Sequence, residues 1–384
     1  MKFSILLPTR NRLDLLQYAV ESVRRQDYAD WEIIISDNAS AEDVSGYVTS
    51  LGDERIRYFR MEKLVPVTDN WNAALERSTG DYIIMLGDDD GLMAGCLTKA
   101  SRLIREWNDP EVIYTQAIQF AYPGVIPGEN SGFTQVAYNE FLLGREQPFM
   151  LGSDQALRMV RSALSFRLCF GFNMQHFIVG RALLTKLAAK GTFFKSPYPD
   201  YYAANAILLA SNRILANPEP LVMIGISPKS FGYYYFNNRE SEGVDFLQNS
   251  DRSNIPQHLH EAIIPGTNMN DSWLAAMDAL VCNFPEIPSL KISFRRYRLL
   301  QFYAIWRRLS WRGLTVILKH MYLWEMVCYA PVVLAYAAAF VVPVNLRRKI
   351  QESLHFSFNA SPRFDVKKTT VPYRNLLEAV SQRS

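Results

Sequence analysis

An α/β fold with a mostly parallel sheet is predicted by three features of the sequence. Short apolar stretches alternate with stretches of helical period, as in successive strand–helix–strand units. Polar clusters follow three of the predicted strands. The 384 residues are 49% hydrophobic and 21% charged, which supplies a large core and excludes a chain that is disordered throughout.

The predicted elements alternate along the first third of the chain. Strands are predicted at residues 3–7, 31–35, 55–60, 81–86 and 111–114. Helices are predicted at residues 13–26, 41–51, 69–78 and 95–107. Residues 82–86 are apolar throughout, which is typical of a central strand covered on both faces.

The middle of the chain is less regular. Residues 122–152 are rich in glycine, proline and aromatics, and we expect an irregular insertion there. A helix is predicted from near Asp200 and a strand from Pro220 to Gly225, followed by a polar, loop-rich stretch at residues 233–265. The absence of a G-x-G-x-x-G or Walker loop argues against dinucleotide enzymes and P-loop ATPases.

Composition excludes several other classes. A net charge of +3 argues against a protein that binds polyanions along its whole length. The four cysteines form no CxxC pair and the five histidines no HxxxH pair, so zinc chemistry has no support and a reducing compartment fits. Pro8 interrupts the first apolar run before the ~7–15 residues of a secretory core, so we expect residues 1–290 to stay in the cytoplasm.

Three polar clusters follow predicted strands, and the topology of parallel sheets brings them to one rim. The clusters are Pro8-Thr9-Arg10-Asn11, Ser36-Asp37-Asn38 and Gly87-Asp88-Asp89-Asp90. In open α/β sheets, ligands bind beyond the carboxyl ends of the strands. The sequence therefore predicts a binding site at this rim.

The three adjacent aspartates predict a divalent metal. Asp88, Asp89 and Asp90 repel one another, and Mg²⁺ or Mn²⁺ held by one or two carboxylates, phosphates and water would offset that repulsion. The alternative is a solvated acidic turn. Asp37 is expected to accept hydrogen bonds from a nucleobase imide or ribose hydroxyl; the alternative is an N-cap for the following helix, although Asn38 or Ser40 could cap equally well.

These residues together resemble the family-two glycosyltransferases of the GT-A fold, which is Rossmann-like. The resemblance rests on residues 3–12, Gln26, residues 31–40, Asp69-Asn70-Trp71-Asn72 and residues 80–90. It covers residues 1–115 well and residues 116–232 loosely. It implies transfer of a sugar from a nucleotide-diphosphate donor with inversion at the anomeric carbon.

The resemblance also implies roles for individual residues. The residues assigned to donor binding are Pro8, Thr9, Arg10, Asp37, Asn72 and Asp88. The residues assigned to metal binding are Asp89, Asp88 and Asp90. The departure from the family pattern is Gly87, where many members carry an aspartate. Asp89 is therefore the preferred metal ligand, Asp88 is placed on ribose or metal, and Asp90 has the weakest claim.

Asp200 is the candidate catalytic base. Inverting transfer needs a carboxylate to take the acceptor proton, and the family places its base at a helix start about a hundred residues after the DxD motif. Asp200 lies 111 residues after Asp89. The alternatives are a plain N-cap role for Asp200, or Asp154 as the base. A helix start would lower the pKa of Asp200.

Two further residues are candidates with competing explanations. Lys229, in a loop after a predicted strand, is a candidate for neutralising the diphosphate, but an exposed lysine without that role is the more common case. His176 is a candidate metal ligand or acceptor contact, and a satisfied core histidine is the preferred interpretation.

The carboxyl-terminal third predicts membrane association. Residues 291–320 contain eight Lys or Arg and no acidic residue. An apolar stripe at helical spacing is typical of a membrane-surface helix; its members are Ile292, Leu299, Phe302, Tyr303, Trp306 and Leu309. Met326 to Leu346 is uncharged over 21 residues, near the length of a span. The alternatives are a helical hairpin buried against the catalytic domain and a nucleic-acid patch.

We therefore expect a metal-dependent inverting glycosyltransferase with Mn²⁺ or Mg²⁺. The expected organisation is a GT-A domain at 1–235, a loop-rich acceptor-covering region at 236–290, membrane-associated helices at 291–350 and a tail at 351–384. Its partners would be a nucleotide-diphosphate sugar donor and a lipid-linked saccharide acceptor in surface-polysaccharide synthesis. The protein would bind the cytoplasmic face of the membrane as a peripheral or monotopic protein. The rivals are a nucleotidyltransferase and a catalytically silent membrane scaffold.

Overall fold

A computed structural model describes residues 1–125, 130–195, 198–236, 255–307, 316, 319–328, 330 and 372–382. The strands are β1 Phe3–Thr9, β2 Trp31–Asp37, β3 Ile56–Arg60, β4 Tyr82–Met85, β5 Gly91–Leu92, β6 Val112–Ala121, β7 Phe133–Val136, β8 Phe149–Leu151, β9 Phe177–Gly180 and β10 Ile214–Ile226.

The longer helices surround this sheet. They are α1 Leu13–Arg24, α2 Val44–Leu51, α3 Val67–Glu76, α4 Cys96–Glu106, α5 Ser153–Leu164, α6 Arg181–Ala188, α7 Pro199–Ala210, α8 Phe231–Phe236, α9 Asn268–Asn283 and α10 Phe294–Arg307. Residues 323–328 form a short helix, α11, and Leu376–Gln382 form α12. Every strand and helix predicted in the first third is present. Most boundaries shift by three residues or fewer, but the strand predicted at 111–114 continues to Ala121.

The sheet is mixed rather than mostly parallel. Its order is β3-β2-β1-β4-β9-β6-β10-β5, with β7 beside β6 and β8 beside β10. The group β3-β2-β1-β4 is parallel, as is the pair β6 and β10. Strand β9 runs antiparallel between the two groups. Its four residues are too short to give a strand pattern distinct from a buried helix segment, which is why the sequence did not predict it.

Both faces of the central strands are covered, as their apolar sequences predicted. Leu6 and Ile34 belong to one buried cluster, which also contains residues of α5, α7, α9 and α10. Ile5 and Ile33 belong to the cluster on the opposite face, which contains residues of α1 and α4. The alternation along β1 and β2 follows from the two-residue period of a strand.

The region expected to be irregular contains two strands. Strands β7 and β8 lie within residues 122–152, each three or four residues long. They pair with β6 and β10 respectively, so partners distant in sequence stabilise short segments that have weak local preferences.

Helix α10 packs its apolar side into the core. Leu299 is buried, and Ile292, Phe302 and Tyr303 pack against the same cluster. The Trp306 side chain and Leu309 lie outside the described residues. The described members of the stripe predicted to face lipid are therefore covered by the protein, as in the buried-hairpin alternative.

Most of the predicted apolar segment at residues 326–346 lies outside the described residues. Among the residues that are described, no helix is both long enough and apolar enough to cross a membrane. Helix α12 packs instead on the amino-terminal domain, where Leu376 is buried in a cluster with Leu15, Met93 and Tyr122.

Candidate functional site

The three polar clusters meet at one rim of the sheet. Strands β1 and β2 are in parallel register, with Thr9 opposite Asp37 at their carboxyl ends. The Thr9 hydroxyl donates a 2.8 Å hydrogen bond to Oδ2 of Asp88, which follows β4. The topology thus places the residues after the first, second and fourth strands together, as the sequence predicted.

Asp88 is buried and paired with Arg12. Nη1 of Arg12 lies 3.0 Å from Oδ1 of Asp88, and both side chains are less than a tenth exposed. Nη2 of Arg12 donates to the backbone oxygen of Lys229, which joins the rim to the loop after β10. Burial and the neighbouring Asp89 raise the pKa of Asp88, while Arg12 and Thr9 oppose that rise.

The role of Arg12 was not predicted. It follows the Pro8-Thr9-Arg10-Asn11 cluster directly, and its guanidinium pairs with Asp88 of the triplet. The alternation of basic and polar residues after β1 was a signal, but it did not distinguish Arg12 from Arg10. The Arg10 side chain is half-buried, and Pro8 is buried in the strand.

Asp89 faces the loop after β10. Hydroxyls of Ser227 and Ser230 both donate to its Oδ2, the first at 3.1 Å. No hydrogen bond from the described residues reaches its Oδ1. Strand β10 approaches so closely that a Cβ on Gly225 would lie 1.8 Å from the Asp89 backbone oxygen, so only glycine fits there.

Asp90 is held on both carboxylate oxygens by the protein itself. The backbone NH of Gly225 donates to Oδ1 at 2.7 Å. The NH of Gly87 and the side-chain amide of Gln175 donate to Oδ2 at 2.7 and 2.6 Å. Burial and the charge of Asp89 nevertheless raise the pKa of Asp90 well above its ordinary value. These contacts favour a structural role for Asp90 over the predicted metal role.

Asp37 is buried at the end of β2 and accepts three hydrogen bonds. The donors are the Tyr58 hydroxyl at 2.8 Å, Nη1 of Arg60 at 3.1 Å and the backbone NH of Ser40 at 2.9 Å. Asp37 does not cap helix α2, and neither candidate cap does so either. The side chain of Asp43 accepts from Gly46 NH and caps the helix, which begins three residues later than predicted.

Asp200 lies in the first turn of α7, but it is not the N-cap, which is Tyr198. Its Oδ1 accepts a 2.8 Å hydrogen bond from the backbone NH of Met174. Met174 opens a 3₁₀ turn whose next residue, Gln175, binds Asp90. This turn connects the candidate base to the aspartate triplet.

The pKa of Asp200 moves in the direction opposite to the prediction. Burial raises it to about 6, although hydrogen bonds from the backbone NH groups of Met174 and Asp200 itself oppose the rise. The expectation from the helix start was wrong because desolvation of the carboxylate outweighs the helix dipole. A carboxyl group with this pKa is ionised at neutral pH and still basic enough to accept a proton.

The other candidates divide between the rim and the scaffold. Nζ of Lys229 lies 2.8 Å from Asp14 in an exposed ion pair, so its charge is already partnered. The Asn72 amide donates to the Phe194 carbonyl and accepts from the Phe194 NH. These two hydrogen bonds join α3 to the segment before α7 and do not involve the rim. His176 is buried against the Thr115 carbonyl with its pKa lowered by burial to about 4, as expected for a core histidine.

The residues at the rim fit a hard divalent cation held by few protein ligands. Asp88 and Asp89 present adjacent buried carboxylates, and Oδ1 of Asp89 points to no described donor. Among the residues the structure describes, no three His, Cys, Asp or Glu side chains converge on a common point. A cation at this rim would therefore take most of its ligands from phosphate oxygens and water, which is how Mg²⁺ is usually held beside diphosphates.

The first four strands and the acidic rim lie within a region that matches a known family model. Residues 4–150 match the family model described as Glycosyl transferase family 2. This match lies in the amino-terminal part of the chain and agrees with the resemblance that the sequence indicated.

Several curated glycosyltransferases are similar over the same region. The chain is 38% identical over 100 residues to the GalNAc(5)-diNAcBac-PP-undecaprenol beta-1,3-glucosyltransferase of Campylobacter jejuni, a match covering 25% of this chain and 32% of that protein. It is 42% identical over 89 residues to the putative colanic acid biosynthesis glycosyl transferase WcaA of Escherichia coli, covering 23% and 32%.

A third relative is the Escherichia coli UDP-Glc:alpha-D-GlcNAc-diphosphoundecaprenol beta-1,3-glucosyltransferase WfgD, 30% identical over 87 residues and covering 23% of this chain and 34% of that protein. The matches thus span about a third of each relative. Among solved structures, S. aureus TarS 1-349 has the same fold, with a TM-score of 0.50, 16% identity, and coverage of 84% of this chain and 93% of that one.

Proposed function

We propose that this protein is an inverting glycosyltransferase that moves a sugar from a nucleotide diphosphate to a saccharide acceptor. The observation that carries the proposal is the connection between Asp200 and the aspartate triplet. The 3₁₀ turn at Met174–His176 binds Asp200 with one residue and Asp90 with the next. A candidate base and a candidate diphosphate site therefore share one scaffold.

The donor would lie along the carboxyl ends of β1, β2 and β4. Asp37 would receive hydrogen bonds from the base or ribose, with Tyr58 and Arg60 holding its carboxylate in place. Thr9 and Arg12 hold the Asp88 carboxylate in place, and this carboxylate would bind the sugar-side ribose or the diphosphate. The name of one relative specifies UDP-Glc, which supports a uridine diphosphate sugar as the first donor to test.

Mn²⁺ or Mg²⁺, when bound, would offset the charge of the departing diphosphate. Asp89 and Asp88 are the residues that would hold it. The hydroxyls of Ser227 and Ser230 donate to Asp89 and would orient its carboxylate. Asp90 contributes by fixing the turn at Gly87 and the end of β10, because its three donors come from those segments and from Gln175.

Asp200 would act as the base in a single displacement. The acceptor oxygen forms a bond to the anomeric carbon while the bond from that carbon to the diphosphate oxygen breaks. The hydroxyl proton passes to the Asp200 carboxylate, and the donor leaves as nucleoside diphosphate. The pKa of about 6 that burial gives Asp200 suits this transfer near neutral pH.

The acceptor is proposed to be a saccharide linked to a lipid diphosphate. Two relatives carry names that specify undecaprenol-linked diphosphate saccharides. A protein that uses such an acceptor must work at a membrane surface, which supports the predicted cytoplasmic-face location.

Release of nucleoside diphosphate from UDP-, GDP- and dTDP-sugars, with undecaprenyl-diphosphate saccharide in detergent and with or without Mn²⁺, tests the proposal. Acceptor-dependent release of one diphosphate, together with a product one sugar larger, is the expected result. Release of inorganic pyrophosphate from a nucleoside triphosphate and a sugar phosphate would instead identify a nucleotidyltransferase. Binding without turnover of any donor would identify a scaffold.

A further inference from the structure

Helix α11 buries its acidic residue and exposes apolar residues, which is the reverse of the usual arrangement in a helix that faces water. Its acidic residue, Glu325, is completely buried, while Leu323, Trp324 and Val327 are 76%, 50% and 67% exposed. A surface helix normally places its apolar residues inward and its charges outward. The outward face of α11 is therefore built for an apolar environment.

Buried contacts fix this orientation. The Arg298 guanidinium makes two hydrogen bonds to the Glu325 carboxylate, Nη2 to Oε1 at 2.5 Å and Nε to Oε2 at 3.1 Å. The backbone NH of Tyr322 donates to the same carboxylate. Rotating α11 to bury these apolar residues would break this ion pair, so the pair stabilises the outward display of Leu323 and Trp324.

Cations surround the apolar face. The Arg295 guanidinium lies 5.6 Å from the Trp324 ring centroid, and that of Arg298 lies 5.1 Å from the Tyr322 ring. Lys319 is exposed at the start of the same segment. The sequence between Glu286 and Glu325 carries eight Lys or Arg and no acidic residue. An apolar face with these positive charges beside it complements an anionic lipid surface.

We propose that the face formed by Tyr322, Leu323, Trp324 and Val327 docks this protein on an anionic membrane surface. We call these four residues the docking face. Trp324 and Tyr322 would lie at the headgroup level, where amphipathic rings are favoured. Leu323 and Val327 would enter the boundary of the acyl chains.

The docking face connects to the proposed base through packed helices. Helix α10, which carries Arg298, packs on α9, and α9 packs on α7. Asp200 opens α7. A membrane bound at the docking face would therefore contact the helical layer that carries the base, which gives a lipid-linked acceptor a fixed approach. This last step rests on the proposed function, whereas docking itself does not.

Vesicle flotation with the full chain tests the proposal in the absence of any sugar donor. We expect binding to vesicles containing phosphatidylglycerol and much weaker binding to pure phosphatidylcholine. The triple variant Leu323→Ser/Trp324→Ser/Val327→Ser should lose at least about tenfold in affinity. Lys319→Glu should lose about fivefold, and raised salt should have less effect on that variant.

Tyr138 and Leu143 provide a matched control, because they are 65% and 75% exposed but lie far along the sequence, near β7. Tyr138→Ser/Leu143→Ser should bind vesicles like the unaltered protein. Trp324→Phe should retain binding but lose most of the fluorescence quenching caused by brominated lipids. Undiminished vesicle binding by the triple variant overturns the proposal.

The vesicle-binding assay and the transferase assay test the two proposals independently. A protein that transfers sugar to a detergent-dispersed acceptor but binds no vesicles disproves docking alone. A protein that binds vesicles through Trp324 and transfers no sugar disproves the proposed function alone.

Discussion

Asp90 and Asp200 are bound by neighbouring residues of a single 3₁₀ turn, Asp90 by the Gln175 side chain and Asp200 by the Met174 backbone NH. The two aspartates are 110 positions apart in the sequence, and α7 and the end of β4 carry them separately. The turn therefore sets the position of the candidate base relative to the rim. Its distortion would be expected to affect both.

Asp200→Asn should lower the rate of sugar transfer by about 10²–10⁴-fold, because the amide cannot take the acceptor proton. Its Oδ1 can still accept from Met174, so donor affinity measured by calorimetry should not change. Asp154→Asn is the matched control, since Asp154 also lies in the first turn of a helix and is exposed. Equal activity of both variants would move the base elsewhere.

The transfer rate should rise with pH through about 6, where burial places the pKa of Asp200. The base works only when ionised, so the rate at pH 5 should be about a tenth of the plateau above pH 7. Initial rates at saturating donor between pH 4.5 and 8 check this. A flat profile over that range would show that ionisation of Asp200 does not limit the reaction.

Asp200→Asn should also stabilise the protein at high pH. The folded-state pKa of about 6 is above the ordinary 3.8, so the folded protein binds more protons between these values and loses stability as pH rises through 6. Removing the ionisation should raise the free energy of unfolding at pH 8 by roughly 1–3 kcal/mol. Below pH 4 the gain should disappear. Urea denaturation at the two pH values measures it.

Asp89→Ala should abolish the Mn²⁺-dependent part of nucleoside diphosphate binding, because Asp89 is the carboxylate proposed to hold the metal. Titration calorimetry with UDP, in the presence and absence of Mn²⁺, measures this part. Ser227→Ala removes one hydrogen bond to the same carboxylate and should keep the metal dependence. If Asp89→Ala retained the full effect of Mn²⁺, the metal assignment would be wrong.

Arg12→Met should destabilise the fold by about 3–5 kcal/mol, because it leaves the Asp88 carboxylate buried without its ion partner. Chemical denaturation at pH 7 measures the loss. Arg25→Gln removes a more exposed ion pair with Glu21, and should cost less than about 1 kcal/mol. Similar effects of the two substitutions would show that the buried pair contributes no more than a surface one.

The sequence was sufficient to predict the parallel half of the sheet and the meeting of its polar clusters. Strands β1, β2 and β4 have long apolar runs, and Thr9, Asp37 and Asp88 follow from the rule for strand ends. The partners of the aspartates were not predictable in the same way. Gln175 and Gly225 reach Asp90 only through tertiary packing, and no local pattern distinguishes them from other polar or glycine residues.

In the carboxyl-terminal third, composition and spacing did not predict which surface covers the apolar face of α10. Arginines and aromatics at helical spacing predicted a lipid-facing stripe, but Leu299 of α10 is buried and Phe302 packs against the same core cluster. Local spacing does not show whether protein or lipid covers an apolar face. One consequence is that deleting residues 291–384, a natural way to test membrane attachment, would remove part of the core. Point substitutions on the docking face are therefore the cleaner test.

Helix α12 supports the aspartate triplet from behind. Leu376 touches β5 so closely that a Cβ on Gly91 would lie 2.9 Å from it, and Tyr122 of the same cluster donates to the Asp89 backbone. A variant without Leu376 would therefore lose packing directly behind Gly91, the residue that follows Asp90.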